Sequence, residues 1–315
     1  MALHETRPAD RLRTVVLAGG DSHQRASSLE SGRSICAALR HVGHEVCLVD
    51  PTEDLSAIDW TLHDVCFVAA HGADGEDGRL QHELARLGVR YTGSGPMAAR
   101  LAMSKSAAKE RFFQAHVPTA PYALFHSSES PREILARVRE LHFPLVIKPD
   151  SQFASLGVSC AQSADELEQA AATAFRYDDF AIAEPLIAGR EFSVAVLGRR
   201  PLPIVEVRTG GEIYSHTAKR EQRFDFDLAP KLDSTTAARL QDVAVAAAAS
   251  LRTAGLVRVD VLLTADDRPV VLEVNTVPSL SEGSLAIVAA SSSGYDLPKL
   301  CDHLLRDCLG AGAKL

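Results

Sequence analysis

The chain has 315 residues, enough for two or three modest domains, and 46% of them are hydrophobic. The formal net charge is -8, and no basic block interleaved with aromatic residues occurs, which argues against a nucleic-acid partner. The six cysteines form no CxxC pair, so free thiols are expected rather than zinc sites. No segment has the length and apolarity of a membrane span or a signal sequence. The sequence predicts a soluble, cytoplasmic protein without a membrane partner.

The first hundred residues alternate short apolar runs with helical segments. Residues 14–18 predict a strand closed by two glycines, and a helix over residues 29–39 and a strand over residues 45–49 follow. A further apolar strand over residues 65–70 ends at a glycine-rich loop. Strands that alternate with helices predict a parallel sheet, and we therefore expect an α/β domain over residues 1–104.

After residue 104 the pattern changes, and two further domains are expected, over residues 105–182 and 183–315. The predicted elements of this part are helices over residues 105–115, 134–141 and 235–253, and strands over residues 145–148, 180–184, 192–197, 257–263 and 270–274. The last two strands flank a six-residue loop and predict an antiparallel hairpin.

This hairpin carries polar side chains on one face, because side chains alternate along a strand. Symmetric pairing would place Asp260 opposite Glu273 and Arg258 opposite Asn275. Two opposed carboxylates cost about 0.2 to 1 kcal/mol unless a cation lies between them. The oxygens of Asp260, Glu273 and Asn275 are hard ligands that suit Mg²⁺. A solvated polar face is the alternative interpretation.

Lys148 ends an apolar strand just before a polar loop, a position from which its ammonium could reach phosphate oxygens, although simple exposure is the alternative. Glu184 and Glu191 could bind an adenine amine or a ribose, or could be ordinary exposed acids. The chain has no GxxxxGK[ST] loop, so an ATP site must be of another type. No Cys or His has the local context of a covalent catalyst.

Together these segments resemble the ATP-grasp superfamily, and in particular the D-alanine–D-alanine ligase family, from Thr14 to about Leu305. The matching motifs are HGADGEDGRLQ at residues 71–81, YTGSG at 91–95, VIKP at 146–149, GLVRVDVLL at 255–263 and LEVNTVPS at 272–279. The resemblance implies an α/β ATP-grasp fold with an N-terminal Rossmann-like domain, and a homodimer. It also implies an ATP- and Mg²⁺-dependent ligase, in which an amine attacks an acyl phosphate formed from a carboxylate.

The same resemblance implies the roles of individual residues. The ATP-binding residues would be Lys105, Lys148 and Lys219 at the phosphates, Glu184 at the adenine and Glu191 at the ribose. The metal ligands, for Mg²⁺ or Mn²⁺, would be Asp260, Glu273 and Asn275. Arg258 would stabilise the oxyanion of the tetrahedral intermediate. Ser284 and Leu285 would bind the carboxylate of the second amino acid. His71, with Glu76 behind it, would lie in the substrate site.

The chain departs from the family where the first substrate's ammonium is bound. The family's acidic residue, serine and tyrosine fall at Gln24, Ala154 and Arg220, and Ser279 replaces a usual glycine. A neutral Gln24 with a cationic Arg220 favours a first substrate that lacks an ammonium or carries an extra anionic group. We therefore count Gln24 and Arg220 among the candidate catalytic residues and predict an altered choice of first substrate.

Three alternatives stay open. The chain could be an authentic D-alanine–D-alanine ligase, a cyclo-ligase that closes one amino-acid derivative into a ring, or a non-catalytic protein that binds amino acids or nucleotides. In each case the expected partners are small amino-acid-like molecules.

Overall fold

The structure is a computed structural model that describes residues 11–208 and 225–310. The chain divides into two compact units, Met1–Pro96 with Val277–Leu315, and Met97–Thr276. The described residues after Val277 thus belong with the N-terminal unit. The division into three domains at residues 104 and 182 stays a prediction. None of the described helices combines the length and apolarity needed to cross a membrane.

The described residues form strands β1 to β13 and helices α1 to α10. The strands are β1 (Arg13–Leu17), β2 (Glu45–Val49), β3 (Val65–Val68), β4 (Ala123–His126), β5 (Leu145–Pro149), β6 (Ser159–Ala161), β7 (Phe180–Pro185), β8 (Gly189–Leu197), β9 (Arg200–Pro201), β10 (Val205–Arg208), β11 (Asp225–Asp227), β12 (Leu256–Thr264) and β13 (Pro269–Asn275). The helices are α1 (Arg25–His41), α2 (Ala73–Glu76), α3 (Arg79–Arg86), α4 (Pro96–Met103), α5 (Lys105–Gln114), α6 (Pro131–Val138), α7 (Ala164–Ala174), α8 (Ser234–Ser250), α9 (Leu285–Ser291) and α10 (Leu297–Gly310). The elements predicted from the sequence all have counterparts here, with ends that differ by a few residues.

The first unit is built on a parallel sheet in the order β2-β1-β3, which confirms the predicted α/β arrangement. Apolar side chains of β1 and β3, among them Val15, Leu17 and Val68, pack with Leu84 of α3 in its core. Helix α1 packs against α10, which comes from the other end of the chain. This explains why the C-terminal residues belong to this unit.

The second unit contains two antiparallel sheets. One has the order β4-β7-β5-β6, and the other has the order β11-β10-β8-β12-β13, with β9 beside β8. Helices α6 and α7 cover the first sheet, and α8 covers β8, β12 and β13 of the second. Helix α8 begins where the carboxylate of Asp233 accepts hydrogen bonds from the backbone N–H groups of Thr235 and Thr236.

The β12–β13 hairpin has the predicted register, with Asp260 opposite Glu273 and Arg258 opposite Asn275. Its loop is shorter than predicted, since the strands extend to Thr264 and Pro269. A β-bulge follows Asp260, because Val261 pairs with Val271 and Leu272 is the extra residue. Because Asp260 and Glu273 are direct partners, their side chains share one face of the sheet.

Neighbouring phenylalanines on α5 test this description of the core. Phe112 is fully buried in the core of the second unit, whereas Phe113 is 44% exposed. The substitution Phe112→Ala should lower the free energy of unfolding by about 3 to 5 kcal/mol because it leaves a cavity. Phe113→Ala is the matched control and should cost clearly less. Urea denaturation measures both, and equal losses would contradict the assignment of Phe112 to the core.

Candidate functional site

A cavity of about 770 Å³ opens in the second unit between strands of its two sheets. Its charged lining residues are Lys105, Lys148, Glu184, Arg190, Glu191, Glu206, Arg208, Asp260 and Glu273. Apolar side chains, including Val146, Leu262 and Leu272, line it as well. The fold thus brings together most of the residues for which the sequence predicts contacts with ATP or metal. A concave site with apolar walls and a few polar groups is typical of small-molecule binding.

Lys148 and Glu184 form an ion pair in this cavity. Strands β5 and β7 pair Val146 with Glu184, and Lys148 lies two residues further on the same face. The Lys148 Nζ atom is 2.8 Å from Oε2 of Glu184, and Nζ of Lys109 is 3.0 Å from Oε1. Burial alone would raise the pKa of Glu184, but the two ammoniums outweigh it and lower the pKa to about 2. Glu184 is therefore ionised at neutral pH.

Lys105 begins helix α5 and points toward the polar loop that follows β5. Its Nζ donates to the backbone oxygen of Gln152, and its ammonium lies 5.4 Å from the ring centre of Phe153. Asp150 fixes the loop on the helix, since its carboxylate accepts from the hydroxyl of Ser104 and the backbone N–H of Ser106. Ala154 lies in this loop with a left-handed backbone, φ 57°.

Asp260 and Glu273 face the same cavity from opposite positions of the hairpin. The guanidinium of Arg258 forms two hydrogen bonds to the Asp260 carboxylate, at 2.9 and 2.8 Å. Burial lowers the pKa of Lys105, and the charge of Glu273 is the strongest influence that opposes this shift. The charge of Glu273 thus favours the charged form of Lys105.

The chemistry of these donors fits a hard divalent cation. Asp260, Glu273 and Asn275 offer carboxylate and amide oxygens, the type of ligand that Mg²⁺ takes. Within residues 11–208 and 225–310, no group of three or more His, Cys, Asp or Glu side chains could hold a metal ion. The predicted set is of another kind, because one of its three ligands is an amide.

A second group of predicted residues meets in the first unit. His71 is buried, and its Nε2 atom lies 3.2 Å from the hydroxyl of Ser31 on α1. That hydroxyl is also 3.1 Å from the hydroxyl of Ser279. Glu76 is fully buried and accepts from the backbone N–H groups of Gly72 and Val277. Residues from three distant parts of the sequence thus form one polar cluster.

Ser284 and Leu285 stand at the start of α9 in the same unit. Ser284 is the N-cap residue, and its hydroxyl donates to the backbone oxygen of Ser279. Gln24 precedes α1, and its Nε2 atom lies near Gly72, 3.2 Å from where a Cβ of that residue would be. The neutral amide therefore lies beside the loop that carries His71.

Two of the predicted site residues lie outside the part of the chain that the structure describes, and three residues near the predicted ones were not predicted. Lys219 and Arg220 lie outside the described residues, so their roles stay predictions. The sequence reasoning missed Ser31, Lys109 and Asp150. The spacing does place Lys109 on the helix face of Lys105, four residues earlier, but it does not show that this face meets Glu184.

Comparisons with known proteins agree with this geometry. A family model described as D-ala D-ala ligase C-terminus matches residues 112–306. A D-alanine–D-alanine ligase of Gloeobacter violaceus is 36% identical over 93% of this chain and 98% of its own length. One of Acidiphilium cryptum is 38% identical over 94% of this chain and 98% of its own length.

The fold has solved counterparts. A crystal structure of D-alanine–D-alanine ligase from Bacillus anthracis complexed with ATP matches with a TM-score of 0.84 and 27% identity. The match covers 95% of this chain and 98% of that one. The chain therefore belongs to the D-alanine–D-alanine ligase family of ATP-grasp enzymes, which are ATP-dependent ligases that form C–N bonds.

Proposed function

We propose that this chain uses ATP to activate the carboxylate of one D-alanine and joins it to the amine of a second D-alanine. Relatives that are 36% and 38% identical over nearly the whole chain carry the name of this activity. The observation that carries the proposal is the meeting of Lys148 with Asp260 and Glu273 in one cavity. Lysines and metal-binding carboxylates together are what phosphoryl transfer requires.

In this proposal ATP occupies the cavity of the second unit. Lys105 and Lys148 neutralise phosphate oxygens, while Val146, Leu262 and Leu272 offer apolar surface to the base. Asp260, Glu273 and Asn275 would hold Mg²⁺, which neutralises phosphate charge when bound. Positioning and charge neutralisation suffice for transfer of the γ-phosphoryl group to a carboxylate, so a covalent catalyst is not needed.

Arg258 has a separate role in the second step. When the amine attacks the acyl phosphate, a C–N bond forms, negative charge develops on the carbonyl oxygen, and phosphate leaves as the C–O bond breaks. A guanidinium that is held in advance can stabilise this charge. Asp260 holds Arg258 in this way through two hydrogen bonds. Ser284 and Leu285 would bind the carboxylate of the second amino acid.

A second candidate function is ligation with a different first substrate. It is favoured by Gln24, whose neutral amide lies beside Gly72 at the position where the family has an acidic residue. Such an enzyme would activate an acid that lacks the ammonium of D-alanine or carries an extra anionic group. The homodimer and the cytoplasmic location stay predictions for either function.

Phosphate release from ATP distinguishes these functions. With D-alanine alone, the proposed function predicts steady release and formation of D-alanyl-D-alanine, which mass spectrometry identifies. Release that requires D-alanine plus a hydroxy acid or a diacid would support the second candidate instead. Release with a single amino-acid derivative and a cyclic product would indicate a cyclo-ligase. Binding without release across the panel would contradict every ligase assignment.

The substitution Glu273→Gln tests the metal assignment. It keeps the shape of the side chain but removes the charge opposite Asp260, so turnover should fall by at least about 100-fold. Glu168→Gln makes the same chemical change at an exposed position of α7 and should leave turnover unchanged. Initial rates of phosphate release measure both variants. Retained activity in the Glu273 variant would refute the assignment.

A further inference from the structure

Lys109 is a buried lysine that does not line the cavity but lies behind one of its walls. Its side chain is only 1% exposed. Three oxygens surround its Nζ atom: the hydroxyl of Thr119 at 2.8 Å, the carbonyl of Ala120 at 3.1 Å and Oε1 of Glu184 at 3.0 Å. Burial lowers the pKa of Lys109, and the charge of Glu184 at 3.0 Å is the strongest influence that opposes this shift. The hydroxyl and carbonyl oxygens satisfy two N–H groups, and the carboxylate beside Nζ favours the charged form.

The position of this ammonium is fixed from both sides. The hydroxyl of Thr119 donates to the backbone oxygen of Val271 at 2.8 Å, which leaves its lone pairs for Lys109. The backbone N–H of Val271 in turn donates to Pro118. Val271 directly precedes the bulge residue Leu272 of β13 and lies two positions before Glu273. Lys109 is therefore held by the same segment that anchors the metal-binding hairpin.

The charge balance of the cavity gives this ammonium a consequence for ligand binding. Five acidic and four basic side chains line the described cavity, an excess of one negative charge. Glu184 is ionised, and its two oxygens face two different ammoniums. If Lys148 were its single partner, the pair would be neutral. With Lys109 present, the group of three carries one surplus positive charge in a poorly solvated place, where charges interact strongly.

We propose that Lys109 is a positioning residue for the nucleotide phosphates: it neutralises Glu184 from behind and so leaves the charge of Lys148 available to the phosphates. This inference rests on the proposed ATP site and adds to it a residue that never touches the nucleotide. Without Lys109, Glu184 would be fully compensated by Lys148. The cavity would then repel a polyanion more strongly, although its shape and apolar walls would be unchanged.

The test compares Lys109→Met with Lys231→Met, which removes the same charge from an exposed position of the same unit. Isothermal calorimetry measures the Kd of ATP with Mg²⁺ at several salt concentrations, and the Kd of adenosine. In the Lys109 variant we expect ATP to bind about 10- to 100-fold more weakly with a shallower salt dependence. Adenosine should bind within about threefold of the wild type, since it carries no phosphate. The Lys231 variant should match the wild type for both ligands.

A double variant separates charge from structure. Lys109→Met with Glu184→Gln removes the buried pair together and leaves Lys148 with its charge, so ATP affinity and its salt dependence should recover toward the wild type. This variant also carries the test if the single variant fails to fold, which circular dichroism and thermal melting reveal.

Three results would overturn the inference. Equal weakening of ATP and adenosine in a folded Lys109 variant would show a merely structural role. Unchanged ATP binding in the Lys109 variant would show that the charge of Lys109 does not act on the phosphates. A double variant whose ATP affinity relative to its adenosine affinity is no higher than in the single variant would show the same, because this ratio removes any loss of an adenine contact at Glu184. A wild-type protein that does not bind ATP would instead refute the proposed function, and this inference with it.

Discussion

Two carboxylates that face each other across a hairpin are the constraint on which the site depends. The register of β12 and β13 sets Asp260 directly opposite Glu273 on the face that lines the cavity. Like charges in this position destabilise a sheet unless cations surround them. The structure supplies such cations on both sides, with Arg258 bound to Asp260 and Lys105 under the influence of Glu273. The acidic side chains that line the cavity still outnumber the basic ones by one, so the cavity favours a further cation such as a metal ion.

The same logic of paired charges extends along β5 and β7. Glu184 is buried, and two lysines make its ionised form favourable. A buried carboxylate with a single partner would gain less, because desolvation of the charges opposes their attraction. In the cavity of the second unit, Glu184 of β7 is therefore balanced by Lys148 of β5 and Lys109 of α5, whereas Asp260 is balanced by Arg258 of its own strand.

Much of this cavity could be predicted from the sequence. The alternation of polar and apolar residues predicts the register of the hairpin, because a shift by one residue would turn Asp260 toward the apolar core and Val259 toward the cavity. The bulge at Leu272 could not be predicted, since no local pattern in β13 marks an extra residue. Lys109 was missed for a related reason: helical spacing reveals a shared face but not which strand that face meets.

The polar cluster of the first unit depends on contacts between distant parts of the chain. Ser31 brings His71 and Ser279 together, and no local pattern predicts that these three meet. In the second candidate function, the neutral Gln24 of this unit would determine the choice of first substrate. The family motifs therefore predict the ligase chemistry more firmly than they predict which carboxylate is activated.

The location of the metal ion is the most direct test of the account. A crystal of the protein with ADP and Mn²⁺, measured at a wavelength where manganese scatters anomalously, reveals the ion without assumptions about its ligands. The account predicts an anomalous peak within coordination distance, about 2.0 to 2.3 Å, of oxygens from Asp260, Glu273 and Asn275. A bound ion that contacts none of these three residues would contradict it.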